Sequence, residues 1–305
     1  MAGSTVVSLV SPGTELAVYR SIYTEDAPLG SPAVPGYAAV FRIEEFGEDV
    51  KRLEVGQLVY GMGGHGSRQC LPADVVRALP ARLPPAIAVF ARLAAVNMTT
   101  LVTTRAQPPG PVLVLGLGVV GNLAAQVFQA ASYEVVANDP VESRVLLART
   151  TGVVNARATL EGAELPPFSL VVDCSGHEDA ALQACRFVRK GGEVVLVGVP
   201  WLQRGEASAH DLLKEVFHRF LHLRSGWEWE LPTTEEPWEP AEAPPPRHDG
   251  SAIGNQELAL HWLATGAINV NGLGVEVAPE DAQQAYQALL RQEGPLTRLF
   301  RWAAD

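Results

Sequence analysis

The chain has 305 residues, a formal charge of −11 and three cysteines, Cys70, Cys174 and Cys185. That length suits two domains, with enough buried surface that neither disulfides nor a structural metal are needed. The acidic balance argues against nucleic acid and anionic membranes as partners, because phosphate neutralisation wants a basic face. The scattered cysteines make no C-x-x-C lobe, and "MAGSTVVSLVSPG" lacks the basic start of a secretion signal, so a reducing cytoplasm is the expected compartment.

The first hundred residues read as short strands separated by glycine and proline: "STVVSLV", "AAVFRIEEFG", "GQLVYG" and "VVRALP". Such punctuation predicts an irregular β domain. From Val112 the rhythm changes. "VLVLG" is apolar on both faces, like a buried parallel strand, and the helix after it repeats apolar residues at Val120, Ala124, Val127 and Ala131. Strands "YEVVAND", "FSLVVDCSG" and "EVVLVGVP" then alternate with helices over "VESRVLLARTTG" and "EDAALQACRFVRKGG". This alternation predicts a doubly wound parallel sheet, an α/β fold. A helix "HDLLKEVFHRF" and a strand near "LHLRSG" follow. The run at 231–246, "LPTTEEPWEPAEAPPP", reads as an exposed loop. Helices over "NQELALHWLATG" and "PEDAQQAYQALLRQ" and a strand "LTRLFRW" complete the chain. Residues 106–133 carry no charge and are long enough to span a bilayer, but their prolines, glycines, Asn122 and glutamines fit a buried strand, turn and helix better.

"GLGVVG" supplies Gly116, Gly118 and Gly121, with Val119 and Val120 at the start of the helix. A G-x-G-x-x-G alone is weak. Here it follows a buried strand and opens an amphipathic helix, and Asp139 ends the next strand 23 residues after Gly116. The glycines permit a tight turn, backbone approach to a pyrophosphate and close helix packing, which predicts a dinucleotide site. Asp139 suits the adenosine ribose hydroxyls and repels a 2′-phosphate, favouring NAD(H) over NADP(H). The bland alternative is a turn aspartate before Pro140. Arg144 is either beside that ribose or on the helix surface.

The β-rich start, dinucleotide-binding middle and C-terminal return resemble the medium-chain dehydrogenase/reductase superfamily. The resemblance rests on "PGYAAVFRIEEFGEDVKRLEVGQLVYG", "VLVLGLGVVG", "VVDCSG" and "KGGEVVLVGVP". "SLVSPGTEL", "GGHGS" and "ARLAAVNMTTL" look like the zinc-lacking branch that includes bacteriochlorophyllide hydroxyethyl dehydrogenase. The resemblance implies a GroES-like substrate domain at 1–97 and 228–305, and a Rossmann domain at 98–227. It also implies that the first domain is shortened at its start, and that the chain forms a homodimer by edge-to-edge pairing of the nucleotide domain's sheet. In that family Cys174, Ser175 and Gly176 lie at a strand end that contacts the coenzyme, and Val197, Gly198 and Val199 at the strand end that holds the nicotinamide carboxamide.

Zinc-dependent members carry ligands where this chain has Pro12, Tyr37 and, nearby, Ala95. None of these residue types binds zinc, so the resemblance implies metal-free chemistry. Protein donors must then hold the negative charge that builds on oxygen, and a side chain must move the proton. Thr14, Tyr37 and His65 fall in the family's catalytic region. Thr14 matches the hydroxyl of the proton relay, or is a local turn threonine. Tyr37 donates to the carbonyl oxygen, or its ring fills the volume a metal would take. His65 serves acid–base work on a pocket loop, or faces solvent. Glu15 orients the site or pairs locally, and His177 starts a helix. The expected activity is zinc-independent, NAD(H)-dependent interconversion of a secondary alcohol and a ketone on a small molecule of specialised metabolism. The rivals are a reductase of conjugated C=C or C=N bonds and a homologue that binds a dinucleotide or other ligand without turnover.

Overall fold

The computed structural model describes residues 1–20, 35–234 and 250–302. Most of the loop expected at 231–246 lies outside the described residues. The chain divides into two compact units. One comprises Met1–Arg92, Gln256–Gly266 and Val270–Asp305, and the other Leu93–Asn255 and Ala267–Asn269.

The first unit opens with β1 (Ala2–Leu9), α1 (Pro12–Tyr19), β2 (Ala39–Glu45), β3 (Leu58–Gly61), β4 (Arg68–Cys70), β5 (Arg77–Ala78) and the short α2 (Pro85–Ala88). β1 runs antiparallel to β2 and β4, with its register to β2 shifting after Ala2 and after Thr5. A Cβ on Gly3 would lie 2.0 Å from the Arg42 carbonyl oxygen, so glycine permits the close backbone approach at the first of these irregularities. Phe41, Ile43, Val59 and Val76 form the core beneath β2 and β3. α1 is not among the elements expected from the sequence. Its proline is in the first helical turn, where the missing N–H costs nothing.

α3 (Ala91–Thr103) leads into the second unit. There follow β6 (Pro111–Leu115), α4 (Val119–Ala130), β7 (Glu134–Asn138), α5 (Glu142–Thr150), β8 (Ala156–Arg157), β9 (Phe168–Asp173), α6 (Glu178–Phe187), β10 (Val188–Leu196), α7 (Ala209–Arg219) and β11 (His222–Ser225). All six strands are parallel, in the order β11-β10-β9-β6-β7-β8. The direction of winding therefore reverses between β6 and β9, as in a Rossmann fold. α4 and α5 pack through Ala124, Phe128, Val145 and Ala148 on one face of the sheet. α6 and α7 pack through Ala184, Cys185, Leu212 and Val216 on the other. α6 ends at Phe187 rather than continuing to Gly192 as its sequence suggested. Gly191 has φ +70, and β10 shifts register between Val188 and Glu193, so the Gly-Gly pair makes an irregular strand start instead of a helix end.

Glu193 ties β10 to its surroundings from a position only 4% exposed. It accepts from Thr104 Oγ1 at 2.6 Å, the Arg105 N–H at 3.0 Å and Arg224 Nε at 2.5 Å. Burial alone would raise its carboxyl, but these donors outweigh it and hold Glu193 below the usual carboxylate range. A lowered folded-state value gives stability that is present above the unfolded value and is lost as pH falls through the folded one. We expect Glu193→Gln to lower unfolding free energy by about 3 kcal/mol at pH 7 and by less under acid conditions, read by denaturant titration at both pH values.

α8 (Ala252–Thr265) carries the chain back to the first unit, which closes with β12 (Gly274–Val277), α9 (Ala282–Leu290) and β13 (Thr297–Arg301). β13 pairs antiparallel to β1 and parallel to β12, completing a seven-stranded sheet. Val10, Ala285, Tyr286, Leu289 and Phe300 form a second core there. The observed architecture is the expected α/β one: a Rossmann sheet and a GroES-like β domain.

Candidate active site

In the second unit, β6 is fully buried through Val112, Leu113 and Val114, and the chain turns at Gly116 with φ +86. A Cβ on Gly121 would meet the Gly116 carbonyl oxygen at 1.8 Å, so α4 packs directly on the turn. At Gly118, by contrast, a Cβ would meet nothing within 4 Å. Gly118 is also the N-cap of α4, and no side chain caps that end. An open approach over Gly118, beside the positive end of a twelve-residue helix, fits a pyrophosphate. Val119 and Val120 form the helix's first turn.

Asp139 is 1% exposed just beyond β7. Its Oδ2 accepts the Leu117 N–H at 2.7 Å and Arg144 Nη1 at 3.2 Å, while Oδ1 accepts the Val141 N–H at 2.9 Å. The carboxylate thus clamps the glycine turn to the end of β7, with the Arg144 guanidinium beside it.

At the end of β9, Asp173 accepts from both the Ser175 N–H (2.9 Å) and hydroxyl (2.6 Å). Burial raises the Asp173 carboxyl, although the Ser175 bonds and His177 act against that rise. Desolvation, helped by the Asp173 charge, pushes the Cys174 thiol well up, so it stays protonated. Gly176 has φ +64, and a Cβ on Gly198 would lie 2.2 Å from its nitrogen. The Val197 and Gly198 N–H groups both donate to the Asp173 carbonyl at 2.8 Å, and Val199 is 45% exposed. His177 is the N-cap of α6, as its sequence position suggested. The residues singled out for coenzyme binding therefore gather at the carboxyl ends of four adjacent strands, β10, β9, β6 and β7, around the reversal of strand order.

In the first unit, the Tyr37 hydroxyl donates to Ser11 Oγ at 2.5 Å, with Thr14 Oγ1 3.5 Å away. Ser11 precedes α1, and its N–H donates to Glu15 Oε1 at 2.6 Å, one turn on. Glu15 is buried at 4% exposed. Its Oε2 receives the Tyr286 hydroxyl and lies 2.9 Å from His65 Nε2. The other ring nitrogen of His65 is 2.8 Å from Ser8 Oγ, which also accepts Trp302 Nε1 at 2.8 Å. Burial first, and then the Glu15 charge, push the Tyr286 phenol far above its ordinary range, so it remains a donor. Gly36, at φ +90, passes over the imidazole. A Cβ there would be 2.8 Å from His65 Nδ1. Arg92, 3% exposed, places its guanidinium carbon 4.8 Å from the centroid of the Tyr37 ring.

Of the three expected catalytic residues, Tyr37 and Thr14 meet. His65 does not face solvent: its side chain is 5% exposed and both ring nitrogens have partners. Glu15 pairs with a residue fifty positions away rather than locally. Ser8, Ser11, Tyr286, Trp302 and Arg92 were not singled out from sequence. A serine directly before Pro12 is a helix-start signal, proline being favoured at the first helical position, and would have located Ser11.

Residues 119–222 match the profile of the family described as "Zinc-binding dehydrogenase". The chain is 26% identical over 228 residues to an L-threonine 3-dehydrogenase from Protochlamydia amoebophila, covering 61% of this chain and 66% of that protein. It is also 26% identical over 211 residues to an alcohol dehydrogenase from Geobacillus stearothermophilus, 55% of this chain and 61% of the relative. The matched stretch thus spans just under two thirds of each relative's length. Among solved structures, galactitol-1-phosphate dehydrogenase from Escherichia coli superposes with a TM-score of 0.78 at 18% identity, covering 98% of this chain and 92% of that one. The chain shares the fold of that dehydrogenase. A putative zinc-binding dehydrogenase from Sinorhizobium meliloti bound to NADP (TM-score 0.76, 16% identity, 99% and 91% covered) shares it. So does an Escherichia coli alcohol dehydrogenase complexed with NADH (TM-score 0.74, 15% identity, 98% and 91% covered).

That family description raises the question of zinc. Among the described residues no three His, Cys, Asp or Glu side chains cluster as a metal site would need. Among the described residues the tightest imidazole–carboxylate pair, His65 and Glu15, already spends its atoms on Ser8, Ser11 and Tyr286. Pro12 and the buried Ala95 offer no donor. The donors among the described residues do not fit zinc.

Proposed function

We propose that the chain is a zinc-independent, NAD(H)-dependent oxidoreductase that interconverts a secondary alcohol and a ketone on a small molecule of specialised metabolism. The observation that carries the reading is the Tyr37 hydroxyl, held by Ser11 beside Thr14 where zinc-dependent relatives place a metal ligand. Its supports are the glycine turn, the dehydrogenases it matches, and the NADH and NADP bound by neighbours of the same fold.

Bound along the glycine turn, a nicotinamide dinucleotide supplies a hydride to a carbonyl carbon or takes one from a carbinol carbon. Gly118 and the first turn of α4 would hold the pyrophosphate, and Asp139 the ribose end. The Tyr37 hydroxyl gives its proton to the carbonyl oxygen in reduction and takes it back in oxidation, and Ser11 and Thr14 share that proton. His65 acts through Glu15, whose Oε1 fixes the Ser11 backbone, rather than on substrate. Transfer of deuterium from C4-labelled NADH to the carbinol carbon of the product tests this function. A label found on a carbon beside a saturated C=C bond would instead identify a conjugated-bond reductase, and no transfer across a broad carbonyl panel a non-catalytic binder.

NAD(H) is favoured by the Asp139 charge, which the adjoining Arg144 partly offsets. Arg144→Ala should therefore leave NADH affinity within about twofold and weaken NADPH binding several-fold, as read by coenzyme fluorescence. NADPH binding the native chain more tightly than NADH would overturn the preference. The reading further includes a cytoplasmic homodimer with no nucleic-acid or membrane partner. β11 ends the parallel sheet, and Leu213 and Phe217 of neighbouring α7 are 66% and 77% exposed, which supports pairing of two copies at that edge. Light scattering giving a mass near 32.6 kDa would count against it.

A further inference from the structure

We propose that Tyr286 is a positioning residue for the Tyr37 hydroxyl, acting through α1. The inference rests on the reading of Tyr37 as the proton donor and names the side chain that holds its acceptor in place. Ser11, which takes the Tyr37 hydroxyl at 2.5 Å, is the N-cap of α1. Whatever fixes α1 therefore fixes where the Tyr37 proton is received.

Tyr286 meets α1 at both of its turns. Its hydroxyl donates to Glu15 Oε2, and its ring stacks on Tyr19 with centroids 5.5 Å apart and planes 16° from parallel. Glu15 and Tyr19 are four residues apart on one helix, so they share a face. One side chain of α9 thus holds the first turn by a hydrogen bond and the last by ring packing. Phe300 of β13 lies against the same ring at 6.3 Å, which keeps the hydroxyl aimed at the carboxylate. Burial and the Glu15 charge hold that phenol protonated, so it stays a donor. Glu15 Oε1 then passes the hold to the Ser11 N–H at 2.6 Å. Three hydrogen bonds, Tyr286–Glu15, Glu15–Ser11 and Ser11–Tyr37, join the two tyrosines. His65 also bonds Oε2, at 2.9 Å, so loss of the Tyr286 hydroxyl leaves that oxygen one donor rather than none. The effect should accordingly be smaller than that of removing the Tyr37 hydroxyl itself.

Tyr286→Phe keeps the ring and removes the hydroxyl alone. We expect kcat to fall about fivefold to tenfold with KM within about twofold of native, the pattern of a misplaced proton acceptor. In a Tyr37→Phe background the same change should lower kcat less than about twofold, because residues acting through one another are not additive. A merely structural role would slow both proteins alike. Carbon NMR of the full chain labelled at tyrosine Cζ gives an answer without turnover. The Tyr37 resonance, assigned through Tyr37→Phe, should move in Tyr286→Phe and in Ser11→Ala, and the two changes together should move it no further than Ser11→Ala alone. Tyr19→Ala, at a position 45% exposed, removes the ring hold on α1 and should also move it, which keeps the test open if Tyr286→Phe does not fold. A Tyr37 resonance unmoved in the folded variants overturns the proposal, as does an equal loss of kcat in both backgrounds. Failure of the dehydrogenase reading shows differently, as no hydride exchange by the native chain while the Tyr37 resonance still responds.

Discussion

Tyr37→Phe is expected to lower kcat by about 10²- to 10³-fold while leaving NADH affinity and thermal stability close to native. On the proposed reading the hydroxyl is the proton donor, and general acid–base catalysis contributes on that scale. The ring remains against Arg92, and the hydroxyl gives up one hydrogen bond, to Ser11, worth about 1 kcal/mol net. The two readings of Tyr37 make opposite predictions. If the ring merely fills a vacated volume, phenylalanine fills it as well and turnover stays within about twofold. Steady-state kinetics of the two proteins, with coenzyme binding as the control, decides between them.

The largest expected effect on stability is at Glu15. Its two oxygens take up the Ser11 N–H, the Tyr286 hydroxyl and His65 Nε2, all inside the first unit. Glu15→Ala leaves these groups facing a cavity and should cost about 3–5 kcal/mol, the range measured when one member of a buried charged pair is removed. Glu15→Gln keeps the volume and one acceptor oxygen but turns an amide N–H₂ toward donors, so it should fall between alanine and native. Calorimetric melting of the three proteins gives the order. A native-like Glu15→Ala would mean the cluster contributes nothing. Because Glu15 also fixes the Ser11 backbone, the glutamine variant should lose turnover beyond what its stability explains.

The second unit was legible because its signals are local. A doubly apolar strand, a glycine turn and a helix with three-and-four spacing identify themselves within about twenty residues, and Asp139 follows at the expected distance. β4, β8 and β12, of three, two and four residues, were not read from the sequence. The hydroxyl cluster was legible only in part. Tyr37 and Thr14 could be located by resemblance, but their partners are set by tertiary packing. Tyr286 reaches Glu15 across 271 positions, and Trp302 reaches Ser8 across 294. Nothing near Arg92 in the chain signals that its guanidinium lies over an aromatic face. His65 shows the reverse: a histidine in a glycine-rich loop suggests exposure, and burial between Ser8 and Glu15 gives it another role.

The contact between Gly36 and His65 couples two positions twenty-nine residues apart. A side chain at 36 would need a strained backbone and would overlap the imidazole, so the two sites cannot vary independently. Among diverging relatives, loss of the glycine should be found only together with a smaller residue at 65, and the tyrosine that follows should then be released from its hydroxyl partners. The Gly-Tyr pair and the distant histidine form one heritable unit.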